Sequence, residues 1–545
     1  MIHLTAFFRK NYKTIIIILF FLAFLLIGLS IYKDYGISID EDAVRARGDV
    51  AIDYILKNNT ELLTYPTRTY GTFYDVLLVI IERAFKLSKD LQKVFFTRHL
   101  VNFLLFYLSV ICFYFLCKKS FKSWKAGLLG STFLILSPRI FADSFYNPKD
   151  IPFMSLFIIS IFTLVLFLER KTVARAIIHA LATAILIDIR ILGIIVPFFT
   201  IIFFIADLLV FKGLGKKNIR IAGNFFIHIF FLAGFTILFW PYLWTNPIGH
   251  LVESFREMSN FPWKGYVLYM GHYINPAINT PWHYTLVWIL VTTPILYICF
   301  FITGMSSFVK NFIKDPKKYY LEKKGNIIFV LWFFMPLLAV IILKSVLYNG
   351  WRQMFFIYPA LILLSLEGVI FLFNYIKDKF RHKILMVINI ILSVIIISSF
   401  INTSYFMIKN HPFQNLYFNV IAGKNMEEAK NNFDLDYWDL TYKKAIEYLA
   451  QNDSSSVIKF TTSSRALTNG GSDTDLSPLS MIGNHDDIIL LPYKYKGKLL
   501  YVEDIDKATY FIANYINRRA EYPLKNEFYS ISINGAKIVT IYKLK

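Results

Sequence analysis

A chain of 545 residues that is 56% hydrophobic and only 17% charged is far more apolar than a soluble domain, where about 25% of residues carry charge. Its apolar residues gather in runs of about 17–23, long enough to cross a hydrocarbon core of roughly 30 Å, so composition excludes a soluble globular protein and predicts a polytopic α-helical membrane protein. The net charge of +21 does not point to nucleic acid. Most Lys and Arg sit in short loops between apolar runs, where positive charge marks the cytoplasmic side and meets anionic lipid.

The first apolar run, TIIIILFFLAFLLIGLSIY, is too long for a signal peptide and no small-residue cleavage site follows it, so a retained first helix is predicted. Eleven spans are expected, near 14–32, 100–117, 125–138, 151–168, 174–188, 190–211, 221–240, 285–308, 326–343, 354–374 and 384–402. Loops with Arg9/Lys10/Lys13, Lys118/Lys119/Lys122, Arg170/Lys171, Lys212/Lys216/Lys217, Lys314/Lys317/Lys318 and Lys377/Lys379/Arg381 all fall on one side of this count, which places the N-terminus in the cytoplasm and the C-terminus outside. The stretch 173–211 is too long for one tilted helix and must hold two crossings. They hinge near Asp188 and Arg190, which are close enough in sequence to neutralise one another.

Three segments lie outside the membrane on the extracytoplasmic side. In 33–99, AVRARGDVAIDYILKN and YDVLLVIIERAFKL repeat apolar residues at helical spacing and are expected to lie in the interface plane. The segment 241–284 is rich in aromatics (PYLWTNP, FPWKGY, NTPWHY), as suits a headgroup-level belt. From 403 onward, LTYKKAIEYLAQN reads as a helix, and SVIKFTT, DIILLPY, ATYFIANYI and EFYSISINGAKIVTIYKL read as strands, the last a hairpin turning at Asn534-Gly535. Together 403–545 is large enough for an extracytoplasmic α/β domain, after a transmembrane domain over 1–402. No internal repeat is evident.

Ionisable residues beside a bilayer usually face a cavity or the bundle interior and pair there. The expected outer mouths of the spans carry several. ISIDEDAVRARG follows the first span with Asp40, Glu41 and Asp42; SPRIFADSFYNPKDIP follows the third with Arg139, Asp143, Lys149 and Asp150; LKSVLYNGWRQMFFIYPAL links the ninth to the tenth with Lys344 and Arg352. Carboxylates and guanidinium groups therefore converge on one face, where a phosphate-bearing lipid and a water-soluble second substrate could meet.

The Asp-Glu pair after the first helix resembles that of the GT-C glycosyltransferases. More narrowly it is similar to glycosyltransferase family 39, the group of the protein O-mannosyltransferases and the lipid A aminoarabinose transferases. The likeness covers roughly 1–400. It extends to TRHLVNFLLFYLSVICFYFL, to the NPKD loop and to the segment from Arg352 to Pro359, while HPFQNLYFNVIAGKN and FDLDYWDLTYKKAIEYL resemble stretches of uncharacterised bacterial members.

The resemblance implies an inverting transfer of a sugar from a polyprenyl-phosphate donor to a hydroxyl of a protein, lipid or glycan. The reaction would run at the extracytoplasmic face of a bacterial plasma membrane, without an obligatory divalent ion. A single displacement needs one base for the acceptor proton and cations for the departing phosphate. Phosphate is already a good leaving group, so no second acid is needed, unlike in ordinary glycosidases.

By the resemblance, Asp40 matches the base, Glu41 anchors its loop, and Asp150 matches the second acidic position, orienting the acceptor or holding the loop. Arg352 is the leading phosphate ligand, because a guanidinium grips two oxygens at once; Lys149 and Arg139 are further substrate-binding candidates. TYPTRTYGTFYDVL departs from the pattern, with Tyr70-Gly71 where many relatives carry an acidic residue and a proline. Tyr70 stands as a substrate-binding candidate, and contacts made there by relatives are not carried over.

Plainer roles compete at several positions. The acidic triplet could be a hydrated loop, Arg352 and Arg139 lipid anchors, Asp143 a cap for backbone amides and His99 a structural residue. Cys112, Cys117 and Cys299 show no CxxC pattern, and the ten histidines show no HExxH spacing; His272 and His283 merely share the aromatic segment. The alternative functions are a transporter or lipid flippase for an envelope glycan precursor, which would favour midplane charges and inverted repeats, and a membrane-anchored binding scaffold.

Overall fold

The computed structural model describes residues 2–210, 216–259, 263, 265–463, 485–516 and 518–545. The first half comprises α1 (Ile2–Ile31), α2 (Glu41–Lys57), α3 (Phe73–Ala84), α4 (Leu91–Ser120), α5 (Trp124–Ile135), α6 (Pro138–Tyr146), α7 (Asp150–Glu169), α8 (Val173–Ile189), α9 (Ile195–Val210), α10 (Lys216–Phe239) and α11 (Pro247–Ser259). There follow the hairpin β1 (Val267–Tyr269) and β2 (His272–Ile274), then α12 (Tyr284–Thr292), α13 (Ile295–Lys314), α14 (Pro316–Ile342), α15 (Tyr358–Lys379) and α16 (His382–Lys409). The C-terminal part adds α17 (Met426–Asn432), α18 (Thr441–Asn452), β3 (Ile458–Thr462), β4 (Leu499–Tyr501), β5 (Tyr510–Asn514), β6 (Glu527–Ile533) and β7 (Ala536–Lys543).

The expected spans fall on helices, except that 285–308 is split into α12 and α13 by extended backbone at Thr293-Pro294. Among the described residues nine helical segments are long and apolar enough to cross a membrane, which makes this a multi-pass membrane protein. The two spans outside that set are α5, of 12 residues, and α8, of 17. α5 is cut short by Ser137-Pro138, where a new short helix starts with proline in its first turn. α8 and α9 are separate helices, broken at Arg190 by extended backbone and a 3-10 turn. Residues 211–215 of the basic loop after α9 lie outside the described residues.

Helix starts follow local chemistry. The side chains of Asp90, Ser123 and Asp315 accept backbone N–H groups of Lys93, Ala126 and Lys318, supplying caps for α4, α5 and α14. α13 and α15 meet at glycine: a Cβ on Gly304 would lie 2.0 Å from the Leu364 carbonyl, and one on Gly368 2.0 Å from that of Phe300. The two helices touch backbone to backbone, as small residues permit inside membranes.

The interfacial stretches form α2 and α3, fastened by the buried Arg47–Asp75 pair at 2.6 Å. Glu82 of α3 takes Arg45 of α2 at 3.1 Å and Arg98 of α4 at 2.5 Å. The segment 241–284 is more than an aromatic belt, since it holds α11 and the β1–β2 hairpin.

The C-terminal strands form one sheet in the order β4-β3-β5-β7-β6, with β3 parallel to β4 and β5, and β7 antiparallel to β5 and β6. α18 packs on it through Tyr442, Ala445, Ile446 and Leu449. The predicted turn is present, with Asn534 at φ 46° and Gly535 at φ 93°, the positive values a two-residue hairpin favours. DIILLPY is not a strand: His485–Leu490 is a 3-10 turn. The strand in this region is β4, on KLLY, which the sequence reading passed over. The bundle core continues through Phe413, Leu416, Phe433, Tyr437, Trp438 and Leu440, so 411–440 packs on the membrane helices and not on the sheet alone.

Candidate active site

Asp40 occupies the N-cap position of α2 but makes no side-chain cap bond. Glu41 folds back on the loop instead, its Oε1 accepting the Ser38 N–H at 2.7 Å. Glu41 also meets His99 Nε2 of α4 at 3.1 Å and is buried. Both its oxygens are engaged in fixing the loop, which leaves the half-buried Asp40 carboxylate turned to other partners.

Those partners come from distant elements. Arg352, in the 3-10 turn leading into α15, sends Nη1 to Asp40 Oδ2 at 3.2 Å and to Asp150 Oδ2 at 3.0 Å. Lys149 Nζ stands 3.6 Å from the same Asp40 oxygen. Asp150, the first residue of α7, takes Arg190 Nη2 on its other oxygen at 2.5 Å. Three cations thus face two carboxylates at one end of the bundle, an excess of positive charge suited to an anionic ligand.

The supports are local. Asn147 accepts the Asp150 N–H at 2.8 Å and donates to Asp150 Oδ2 at 3.1 Å, so the Asn-Pro-Lys-Asp order makes its own cap at the start of α7. The Arg352 guanidinium lies over Trp438 at 4.7 Å and Tyr348 at 5.4 Å, and its Nε is buried without a hydrogen bond among the described residues. Tyr70 receives Lys149 at 5.7 Å and Arg47 at 5.1 Å on its ring. Burial draws the Lys149 ammonium below its ordinary pKa, while the charge of Asp40 opposes that.

The structure therefore brings together Asp40, Asp150, Arg352, Lys149 and Tyr70. It sets Glu41 behind them as an anchor and places Arg139 elsewhere. Arg139 is buried, donates Nε to the Tyr417 carbonyl at 3.0 Å and lies over Phe418 at 4.5 Å and Trp288 at 5.5 Å. It pins α6 to the 411–440 segment and is neither a member of the cluster nor a lipid anchor. Lys344 is exposed.

Two further expectations are corrected. Asp188 and Arg190 do not pair: Asp188 accepts the Phe73 N–H at 2.6 Å while Arg190 reaches Asp150. Extended backbone at 190 sends the two side chains apart. Among the described residues Asp143 caps no backbone amide; it accepts Tyr146 Oη at 2.6 Å and Asn147 Nδ2 at 3.0 Å, and burial lifts its carboxyl to about 7. His283 Nδ1 bonds Tyr269 Oη at 2.6 Å, and among the described residues no three His, Cys, Asp or Glu side chains gather as a metal set.

The sequence singles out Arg190 only as a partner for Asp188, and it does not single out Tyr348 or Trp438. The aspartate beside it masked Arg190, and nothing local distinguishes Trp438 among nine tryptophans.

No family model matches the sequence, and no curated protein matches it. Two solved structures are similar: ArnT from Cupriavidus metallidurans bound to undecaprenyl phosphate, at 10% identity and a TM-score of 0.48, and the same protein in the apo state, at 11% and 0.46. Each likeness covers 96% of this chain and 97% of the other.

Proposed function

We propose that the chain is an inverting glycosyltransferase of the GT-C type, moving a sugar from a polyprenyl-phosphate carrier to a hydroxyl acceptor at the extracytoplasmic face of the plasma membrane. The observation that carries this reading is the shared Arg352 Nη1, which ties Asp40 to Asp150 beside Lys149 and Arg190. A half-buried carboxylate that faces the cations rather than capping α2 is placed to act as a base. An arginine stacked between aromatic rings is held in place to receive phosphate.

In this reading the donor phosphate takes Arg352 and Lys149 away from Asp40. The released Asp40 accepts the proton of the acceptor hydroxyl as its oxygen bonds to the anomeric carbon. The bond from that carbon to the phosphate oxygen breaks on the opposite side, and the electron pair leaves on the lipid phosphate, whose charge the two cations hold. Asp150, pinned between Arg190 and Arg352, keeps the guanidinium oriented. Tyr70 offers a ring beside Lys149, a fitting wall for the sugar.

The test compares, by mass spectrometry, the glycans and glycoproteins of envelopes from cells with the protein, without it, and with Asp40→Asn in its place. A glycan absent from the deletion and strongly reduced, but still measurable, in the variant is expected. An unchanged glycan profile on deletion, or full retention of the product by D40N, contradicts the reading.

A further inference from the structure

The base-bearing loop is held from outside the bundle. Between α1 and Asp40, residues 33–37 bond to residues more than 370 positions further along the chain. Lys443 of α18 donates Nζ to the carbonyls of Lys33 and, at 3.0 Å, Tyr35. Asp487 Oδ1 accepts the Ile37 N–H at 2.9 Å. Gln414 Oε1 accepts Tyr35 Oη at 3.2 Å, and His411 Nε2 lies 2.8 Å from Asp34 Oδ2.

Lys443 is 5% exposed and Asp487 0%, an unusual burial for two ionisable groups, and both hydrogen-bond the backbone of this loop. The approach is tight: a Cβ on Gly36 would stand 3.0 Å from Asp487 Oδ1 and 3.2 Å from the Leu440 carbonyl. The 3-10 turn carrying Asp487 is itself fastened to α4, where Gln92 Nε2 donates to the carbonyls of Leu490 and Leu491 at 2.8 and 3.0 Å.

The geometry points to Lys443 and Asp487 as positioning residues, which hold 33–37 in register and thereby set the Asp40 carboxylate against Arg352 and Lys149. The inference rests on the reading of Asp40 as the reacting carboxylate. Its physical core is separate: the C-terminal α/β part is a splint for the active-site loop and not only a cover. A buried ammonium that satisfies two carbonyls cannot be removed without leaving both unpaired, so the loop should loosen locally before the fold is lost.

The experiment uses the full chain purified in detergent and has two arms. Amide hydrogen exchange across 33–42 is expected to speed up about tenfold in Lys443→Met and Asp487→Asn, and to stay near wild type in Lys443→Arg, which keeps the charge and donors. The second arm follows the rate at which the glycan found by the envelope comparison forms in membranes. K443M is expected to slow it about tenfold, K443R to recover most of it, and K443M added to Asp40→Asn to change the residual rate less than twofold, because both act through one group.

Unchanged exchange at 33–42 in both K443M and D487N overturns the inference. So does faster exchange with an unaltered rate, or a K443M effect of full size in the D40N background. If D40N alone retains the rate, it is the reading of Asp40 that fails, while the exchange arm still reports whether the splint exists. Should K443M not fold, D487N and Gly36→Val, which crowds the same contact from the loop side, carry the test.

Discussion

Asp434 sits where the 411–440 segment meets the β1–β2 hairpin. Its Oδ1 accepts the Leu268 N–H at 2.8 Å, while Oδ2 is buried without a hydrogen bond among the described residues, and burial lifts the carboxyl to about 8. A carboxyl raised in the folded state is bound more tightly by its proton there, so its stabilising contribution is complete below the unfolded pKa near ~4 and is lost as pH rises through about 8. Asp434→Asn should therefore melt closest to wild type at pH 5 and increasingly above it as pH rises towards 8, removing a slope of at most ~1.4 kcal/mol per pH unit over that range. Melting curves of the purified protein from pH 5 to 9 check this.

At the same scale the site was partly legible. Asp40, Lys149, Asp150 and Arg352 each stand at the mouth of an apolar run, where an ionisable residue needs a partner. Their mutual contact follows from the start of α7 packing against the turn that leads into α15. Arg190 escaped because its partner Asp150 is 40 residues away, and Arg139 misled because a buried arginine held by a carbonyl at Nε and by aromatic rings looks no different in sequence from one at a phosphate site.

Between elements, the tightest joints depend on what is missing or matched. Gly368→Val pushes a branched side chain into the Phe300 backbone of α13, and a loss of about 1–3 kcal/mol is expected, read as a lowered melting temperature in detergent. Arg47→Met leaves Asp75 buried alone and should cost about 3–5 kcal/mol, whereas removing both charges in Arg47→Met/Asp75→Asn should recover most of that. A double variant as unstable as the single one would show that the pair is not what joins α2 to α3. The long helices were legible because each needs an apolar run of membrane length. DIILLPY was not, since a short apolar run fits a buried 3-10 turn as well as a strand.

For the molecule as a whole, the bundle and the C-terminal part share a core, and the Trp438 ring that backs Arg352 belongs to the segment joining them. Nothing in the apolar pattern of 411–440 reveals which surface it covers, because tertiary packing decides it. Truncation after 410 should accordingly abolish function and not merely change the acceptor: it removes Trp438, Lys443 and Asp487 at once. A truncated chain that still transfers sugar at the wild-type rate would separate the two parts.

The central claim, that Asp40 reacts while Arg352 binds phosphate, is tested most directly by titrating undecaprenyl phosphate into purified wild type, Arg352→Met and Asp40→Asn. The account predicts that R352M weakens binding about 100-fold, through loss of a charge-assisted contact of ~2–3 kcal/mol, while D40N binds as well as wild type or better because Arg352 no longer has a competing carboxylate there. Wild-type affinity in R352M, or a loss in D40N that matches it, would contradict the account.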